Sequence, residues 1–515
     1  MDATPPPTPP TRNAWMLSWP ALLVLFALPG VAWALAGPLF GAPDEPSHSV
    51  KAVALWSGQL SGEDATSDAG HLTTTFQLPA VWAQATVVRD CFAFAPMVTA
   101  DCAPPFAGSV TTTGVETTAG HYPPLFYALV GWGGRLSSGP IGLYVMRIAG
   151  AVVCGALLAS AVRALARAVD PRLAVAGVLV AATPMVLFLA GSVNPNGLEI
   201  CAAIAVWASL VALLHGTDRS PGPAPTPLVV QLVVVGSIMA LSRTLSPMFL
   251  GLIAILAAAS VPTAVVRRLL RDRSARIGGV VLVGVAAGAM ASVALSGALA
   301  STPGRIGTDG ANPAIVILGE TDGYVAEMIG VFGWLDTQPP SITLFLWLGA
   351  VFGLLALGLA LGTPRSAIGL LAVLGTTIAL PVIVQYPSAA AQGLPWQGRY
   401  TLPIAVGIPL LAVVIIDRKR ALVPGLASRV SVGIAAITGV ASVAAFAWTL
   451  RRYTTGATGS LRIWSGAWQP PGGSLALVLV MVAFAVAAVA VAVRTGSDPP
   501  RVAIEPGERG ATSPG

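Results

Sequence analysis

Apolar residues fall into long runs parted by short polar stretches, at 17–39, 141–163, 173–192, 198–215, 227–242, 245–266, 277–300, 342–362, 366–386, 400–417, 430–449 and 474–493. Each approaches the roughly 20 residues that a helix needs to cross a hydrocarbon layer of about 30 Å. The pattern predicts an all-α polytopic membrane protein with about twelve transmembrane helices, within a range of about eleven to thirteen. The shortest run, 227–242, is parted from its successor only by Arg243 and Thr244. A thirteenth stretch, 122–136 (YPPLFYALVGWGGRL), is short and opens with a proline pair. If it crossed, Arg163, Arg167 and Arg172 would lie on the same side as the polar loops. The expectation is therefore a helix lying in the interface or re-entering the membrane.

Composition narrows the class. Of the 515 residues, 55% are hydrophobic and 10% charged, and the mean hydropathy is +0.78. Soluble domains carry about 25% charged residues, so a cytosolic enzyme, a nucleic-acid-binding module and a disordered chain are excluded. All but two of the 28 basic residues are Arg. With the N-terminus inside, 18 of those 28 fall in cytoplasmic segments. Basic residues set orientation, so both termini are expected in the cytoplasm. The first run also has signal-peptide features, since Arg12 precedes it and Ala32-Trp33-Ala34 resembles a cleavage site.

These readings divide the chain into a disordered N-terminus (1–14), a transmembrane domain (15–494) and a disordered tail (495–515). The domain carries a large first extracytoplasmic loop at 41–140 and a second outer segment at 301–341. Cys91 and Cys102 in the first loop are spaced for a small disulfide on an oxidising side, with two free buried thiols as the alternative. Cys154 and Cys201 lie inside runs and read as packing residues.

Polar residues collect in five clusters. They are Pro43-Asp44-Glu45-Pro46-Ser47-His48, His121 with Tyr122 through Tyr127, Asn194 through Glu199, Gly333-Trp334-Leu335-Asp336 with Thr337-Gln338, and Gln397-Gly398-Arg399-Tyr400. All five, and the Ser242-Arg243-Thr244 turn, are expected at the outer face, which is what one outward-facing site would produce. Asp44 or Glu45 could simply cap a helix that opens with Pro46, leaving His48 and Lys51 on neighbouring turns of one face. The functional reading makes Asp44 a general base, with Glu45 and His48 orienting it or holding a divalent cation together with it. Arg243 and Arg399 either snorkel to water or clamp a phosphate, and Glu199 could pair with one of them. Asp336 and Trp334 would form the opposite wall. Tyr122, Asn194, Gln397 and Tyr400 complete the expected substrate-binding set. His121 reads as an interfacial polar residue. Phosphate-loop, zinc-helix and nucleophile-elbow motifs are absent.

In order, these clusters resemble a bacterial family of multi-spanning membrane proteins of unknown function that is grouped with the C-type (GT-C) glycosyltransferases. The shared marks are P-D-E-x-x-H at Pro43–His48, Y-P-P-L-x-Y at Tyr122–Tyr127, N-P-[DN]-G-L-E at Asn194–Glu199, G-W-L-D at Gly333–Asp336 and Q-G-R-Y-x-L-P at Gln397–Pro403. The likeness covers about 30–410, and Asn196 stands where Asp is common. The resemblance implies a GT-C-like fold in the bacterial inner membrane and a sugar donor carried on polyprenyl phosphate. It also implies an acid in the first outer loop, here Asp44, acting as base or metal-associated group. The expected activity is sugar transfer to an extracytoplasmic envelope acceptor. Two other classes remain open from sequence: a transporter or flippase of a lipid-linked glycan, and a non-catalytic envelope-assembly protein. Transporters often carry internal repeats, and none is visible.

Overall fold

The computed structural model describes residues 14–66, 72–220, 222–296, 310–389, 393–419, 422–423 and 425–494. Two expectations of disorder, for 1–14 (apart from Ala14) and for 495–515, lie outside the described residues, as does the start of the 301–341 segment. The fold is mostly helical. Every one of the twelve apolar runs forms helix, but they differ in length. Among the described residues eight helices are long and apolar enough to cross a membrane, or up to nine if one bent pair counts as a single span. The long ones are α1 (Trp19–Ala36), α6 (Pro140–Leu165), α9 (Pro195–Arg219), α13 (Arg273–Leu295), α16 (Ser341–Leu361), α17 (Pro364–Gln385) and the helices Leu426–Thr455 and Ser474–Arg494. The apolar helices α10 (Thr226–Ala240), α11 (Ser246–Ala259) and Leu402–Asp417 are shorter.

Two runs are broken where proline intervenes. Run 173–192 forms α7 (Pro171–Ala181) and α8 (Pro184–Ala190), bent by 76°. Thr183 caps α8 and Pro184 opens it, so no backbone N–H carries the ladder across the bend. Run 245–266 stops at Ala259. Beyond Pro262 a separate basic helix, α12 (Thr263–Arg271), begins.

The spans pack through small residues. A Cβ on Gly155 of α6 would approach the Ala27 backbone of α1 to 2.7 Å, and one on Gly30 of α1 would approach Ala151 Cβ to 3.0 Å. Such contacts are how helices associate where lipid removes the hydrophobic drive. Helix α9 is the hub, with 94% of its apolar window buried, against 28% for α16 and α17. Those two turn Phe345, Phe352, Ile368 and Leu371 outward, an apolar surface that suits lipid rather than water.

The long loop after α1 is folded. It begins with α2 (Glu45–Trp56) and continues through a three-stranded antiparallel sheet in the order β1 (Glu63–Thr66), β2 (Leu72–Pro79), β3 (Thr112–Thr117). Opposite Phe76 stands Val115, and opposite Leu78 stands Thr113. Phe76, Leu78 and Val115 are buried in the main core. These strands were not expected from the sequence. Between β2 and β3, α3 (Gln84–Asp90) leads into a disulfide joining Cys91 and Cys102, with Cα atoms 6.0 Å apart. Cys154 and Cys201 are free and buried. The 122–136 stretch folds as α4 (Leu125–Val130) and α5 (Trp132–Leu136). At 1.5 Å per residue each is about 9 Å long or less, so neither crosses a bilayer. Both pack against α2 and α6.

A candidate polar site beside the first loop

The segment between α1 and α2 is held by side chains from distant parts of the chain. Arg147 of α6 donates to the carbonyls of Ala34, Gly37 and Pro38 at 3.1, 2.9 and 2.7 Å. Trp334 Nε1 donates to Phe40 O at 3.1 Å, Tyr453 Oη to Gly41 O at 3.1 Å, and Asn194 Nδ2 to Pro43 O at 3.0 Å. Five carbonyls in this stretch therefore have side-chain donors besides the Ala34 bond. Such pinning fixes the residue that follows, and that residue is Asp44.

Asp44 occupies the position before α2 with φ +63°, in the left-handed region, and its side chain makes no capping bond. A non-glycine residue there costs on the order of 1 kcal/mol, with Asp and Asn the best tolerated. The capped-helix reading thus fails for Asp44. Its carboxylate, 50% exposed, accepts instead from Arg399 Nη2 at 2.7 Å. Arg399 is 1% exposed and also donates to Tyr400 Oη at 3.4 Å. Its Nε and Nη1 are buried and have no hydrogen-bond partner among the described residues. Arg243 lies over the Tyr400 ring at 4.9 Å and the Tyr122 ring at 6.0 Å, and its Nε is likewise unpartnered. Glu199 is the acid that pairs with Arg243, at 3.2 Å, and it also accepts from Ser246 Oγ at 2.6 Å.

His48, one turn along α2, accepts from or donates to Tyr127 Oη at 2.9 Å and meets the Tyr122 ring edge-on. Burial pushes its pKa down to about 3, a shift that the nearby Asp44 opposes and the cations Arg243 and Arg399 reinforce. The ring is therefore neutral near pH 7. Burial raises the pKa values of Tyr122 and Tyr127, so both remain protonated donors. Glu327 of α15 (Thr321–Gly330) accepts from the amide of Gly398, the residue before Arg399, and burial raises its pKa. Asp44, His48, Tyr122, Glu199, Arg243, Arg399 and Tyr400 thus form one neighbourhood.

Other expected site residues have different partners. Glu45 is fully buried and binds Arg147 through both oxygens, at 2.8 and 2.6 Å, while Oε1 also accepts from the Val193 amide. Asp336 pairs with Arg452 at 2.9 Å. Arg452 in turn donates to the carbonyls of Phe92, Ala95 and Val98 in the disulfide loop. Trp334 and Asn194 are spent on the segment before Asp44, and Asn194 also caps α9. Gln397 is close in sequence to Arg399, but its Oε1 is buried without a partner. Glu45, Asp336, Trp334 and Asn194 thus have partners other than the Asp44–Arg399 pair. His121 pairs with Asp64 at 3.0 Å.

A divalent cation on Asp44, Glu45 and His48 does not fit this arrangement. Glu45 already spends both oxygens, and His48 Nδ1 is taken by Tyr127. Among the described residues no group of three or more His, Cys, Asp or Glu is placed to hold a metal. Three of the supporting residues were missed in the sequence. Arg147 could have been found, because a lone Arg inside an apolar run is costly unless it is paired. Arg452 and Glu327 carry no comparable signal.

The architecture defines a multi-spanning helical membrane protein with a polar site built from its first loop and the ends of several helices. The chain belongs to the predicted membrane protein family DUF2142, whose family model matches residues 26–408. No curated protein matches the chain.

Proposed function

We propose that this chain is a GT-C-type glycosyltransferase of the bacterial inner membrane, with both termini cytoplasmic. It would move a sugar from a polyprenyl-phosphate donor to an extracytoplasmic envelope acceptor. The observation that carries this reading is the half-exposed Asp44 held against a buried Arg399 that keeps two unpartnered nitrogens. Leaving a buried polar group unsatisfied costs about 1–3 kcal/mol, and a phosphate oxygen would accept a charge-assisted hydrogen bond from such a donor.

The chemistry assigns one role to each group. Asp44 takes the proton of the acceptor hydroxyl as that oxygen bonds to the sugar's anomeric carbon. The bond from that carbon to the phosphate oxygen breaks, and polyprenyl phosphate leaves with the electron pair. Arg399 and Arg243 stabilise the charge growing on the phosphate. Neutral His48, fixed by Tyr127, lines the site without adding a competing cation. A groove of about 580 Å³ lined by Leu55, Trp56, Pro124, Leu125, Ala128 and Leu241 lies beside the Tyr122-Pro123-Pro124 segment, and an isoprenoid chain matches its apolar lining.

The test uses the purified full-length protein and labelled polyprenyl-phosphate sugars. Wild type should release polyprenyl phosphate. Asp44→Asn should fold and insert but lose at least 100-fold in rate, the low end for a positioned general base. Release undiminished in a well-folded Asp44→Asn protein would sink the scheme.

A further inference from the structure

Next to this site lies a second cavity, of about 350 Å³, whose walls include Lys51, Asp64, Thr74, His121, Tyr122 and Ser292. Lys51 is 2% exposed. Among the described residues its ammonium gives one hydrogen bond, to Leu60 O at 2.8 Å, and lies 5.0 Å from the Phe76 ring. An ammonium has three donors, so two N–H groups remain. Burying a cation with donors unspent is costly. Asp64, in the same lining, accepts through Oδ1 from Thr74 Oγ1 at 2.8 Å and interacts with His121 Nε2 at 3.0 Å. Asp64 Oδ2 accepts no hydrogen bond from the described residues.

The cavity thus offers fixed donors and a fixed acceptor in one small space. A simple anion would meet Asp64, and a simple cation would meet Lys51. Vicinal hydroxyls, each able both to donate and to accept, answer both. Tyr122 is shared: it lines this cavity and also lies against Arg243 and His48. Lys51 lies on α2 seven residues after Asp44, about 10 Å along the axis.

We propose that this cavity is a carbohydrate-binding subsite, with Lys51 and Asp64 gripping neighbouring hydroxyls, and that it positions the acceptor saccharide for Asp44. The acceptor assignment rests on the transferase reading; saccharide binding itself does not. Ser292, on α13, lines the same cavity, so Ser292→Trp would fill the space without removing either Lys51 or Asp64.

The experiment titrates the full-length protein in detergent with glucose, galactose, mannose, arabinose and N-acetylglucosamine, as free sugars and methyl glycosides. Saturation-transfer NMR detects binding and calorimetry measures it. At least one saccharide should bind to wild type, Lys51→Met and Asp64→Asn should each weaken it at least tenfold, and Ser292→Trp should abolish it. Thermal melts of the three variants report whether each is folded, and Asp64, being half exposed, is the safest. The proposal is overturned if no saccharide binds, if folded variants bind like wild type, or if inorganic phosphate alone occupies the site. The two readings fail separately. Undiminished polyprenyl-phosphate release in Asp44→Asn removes the transferase and leaves a saccharide site, whereas binding insensitive to all three variants removes the site alone.

Discussion

Adjacent acids at the end of the first span should behave in opposite ways when neutralised. Glu45 is 0% exposed, and its partner Arg147 is 2% exposed. Glu45→Gln preserves size but puts an amide N–H₂ where Oε2 now meets Arg147 Nη2, and it leaves a buried guanidinium without its counter-charge. Breaking such a pair on one side costs about 3–5 kcal/mol, or roughly 6–10 °C in Tm at the slope of larger chains. Asp44→Asn removes a charge that is half in solvent. Asn keeps an acceptor for Arg399 and is well suited to φ +63°, and Glu327 remains near Arg399, so its cost should stay below that of Glu45→Gln, at about 1–3 kcal/mol. The double variant Glu45→Leu/Arg147→Met should not recover, because Ala34, Gly37 and Pro38 would lose their donors. Thermal unfolding of detergent-purified protein, followed by size-exclusion chromatography, measures all three. A Glu45→Gln protein melting within 2 °C of wild type, as judged against that predicted shift, refutes the assignment of Glu45 as a buried structural clamp.

Other expectations follow from the same contacts. Because the folded-state pKa of His48 is about 3 against an ordinary 6.5, the unfolded chain binds more protons between those values. Stability from this residue is therefore full above pH 6.5 and is lost as pH falls, by about 3 kcal/mol at pH 4. His48→Gln should flatten the acid limb of a Tm–pH profile, and an unchanged limb would remove His48 from that account. Arg452→Gln should loosen the disulfide loop it holds, seen as faster proteolysis between 91 and 102 and a lower Tm. Equal protease resistance in variant and wild type would contradict that role.

The spans were legible because hydropathy acts over some 20 residues and averages out local detail. The same averaging hid the bend before Pro184, the break at Pro262 and Arg147, a single charge in an apolar run. The strands escaped because β1 is fully exposed and β2 opens on a threonine run with no clean alternation. Neighbourhood was legible in outline: charge bias placed the polar clusters at one end, and the structure gathers Asp44, Arg243 and Arg399 there. Pairing was not legible. Asp44 and Arg399 are 355 positions apart, and nothing local distinguishes an acid that will meet Arg399 from one that will meet Arg452.

Exposure separates what sequence could not. Among the described residues, four Arg–acid pairs that join distant parts of the chain stand around the first loop, and the acids are 0% exposed in Glu45 and Glu199, 6% in Asp336 and 50% in Asp44. A closed pair in a low-dielectric setting exchanges partners only at the full cost of an unpaired buried charge, so it holds geometry. An open acid on a buried Arg can trade that partner for an incoming anion, because solvent takes up the displaced carboxylate. Of the four pairs, only Asp44–Arg399 has its acid open to solvent and its guanidinium closed, with donors to spare. That asymmetry, rather than the presence of charge near the membrane, is why reactivity is assigned to Asp44 and scaffolding to Glu45 beside it.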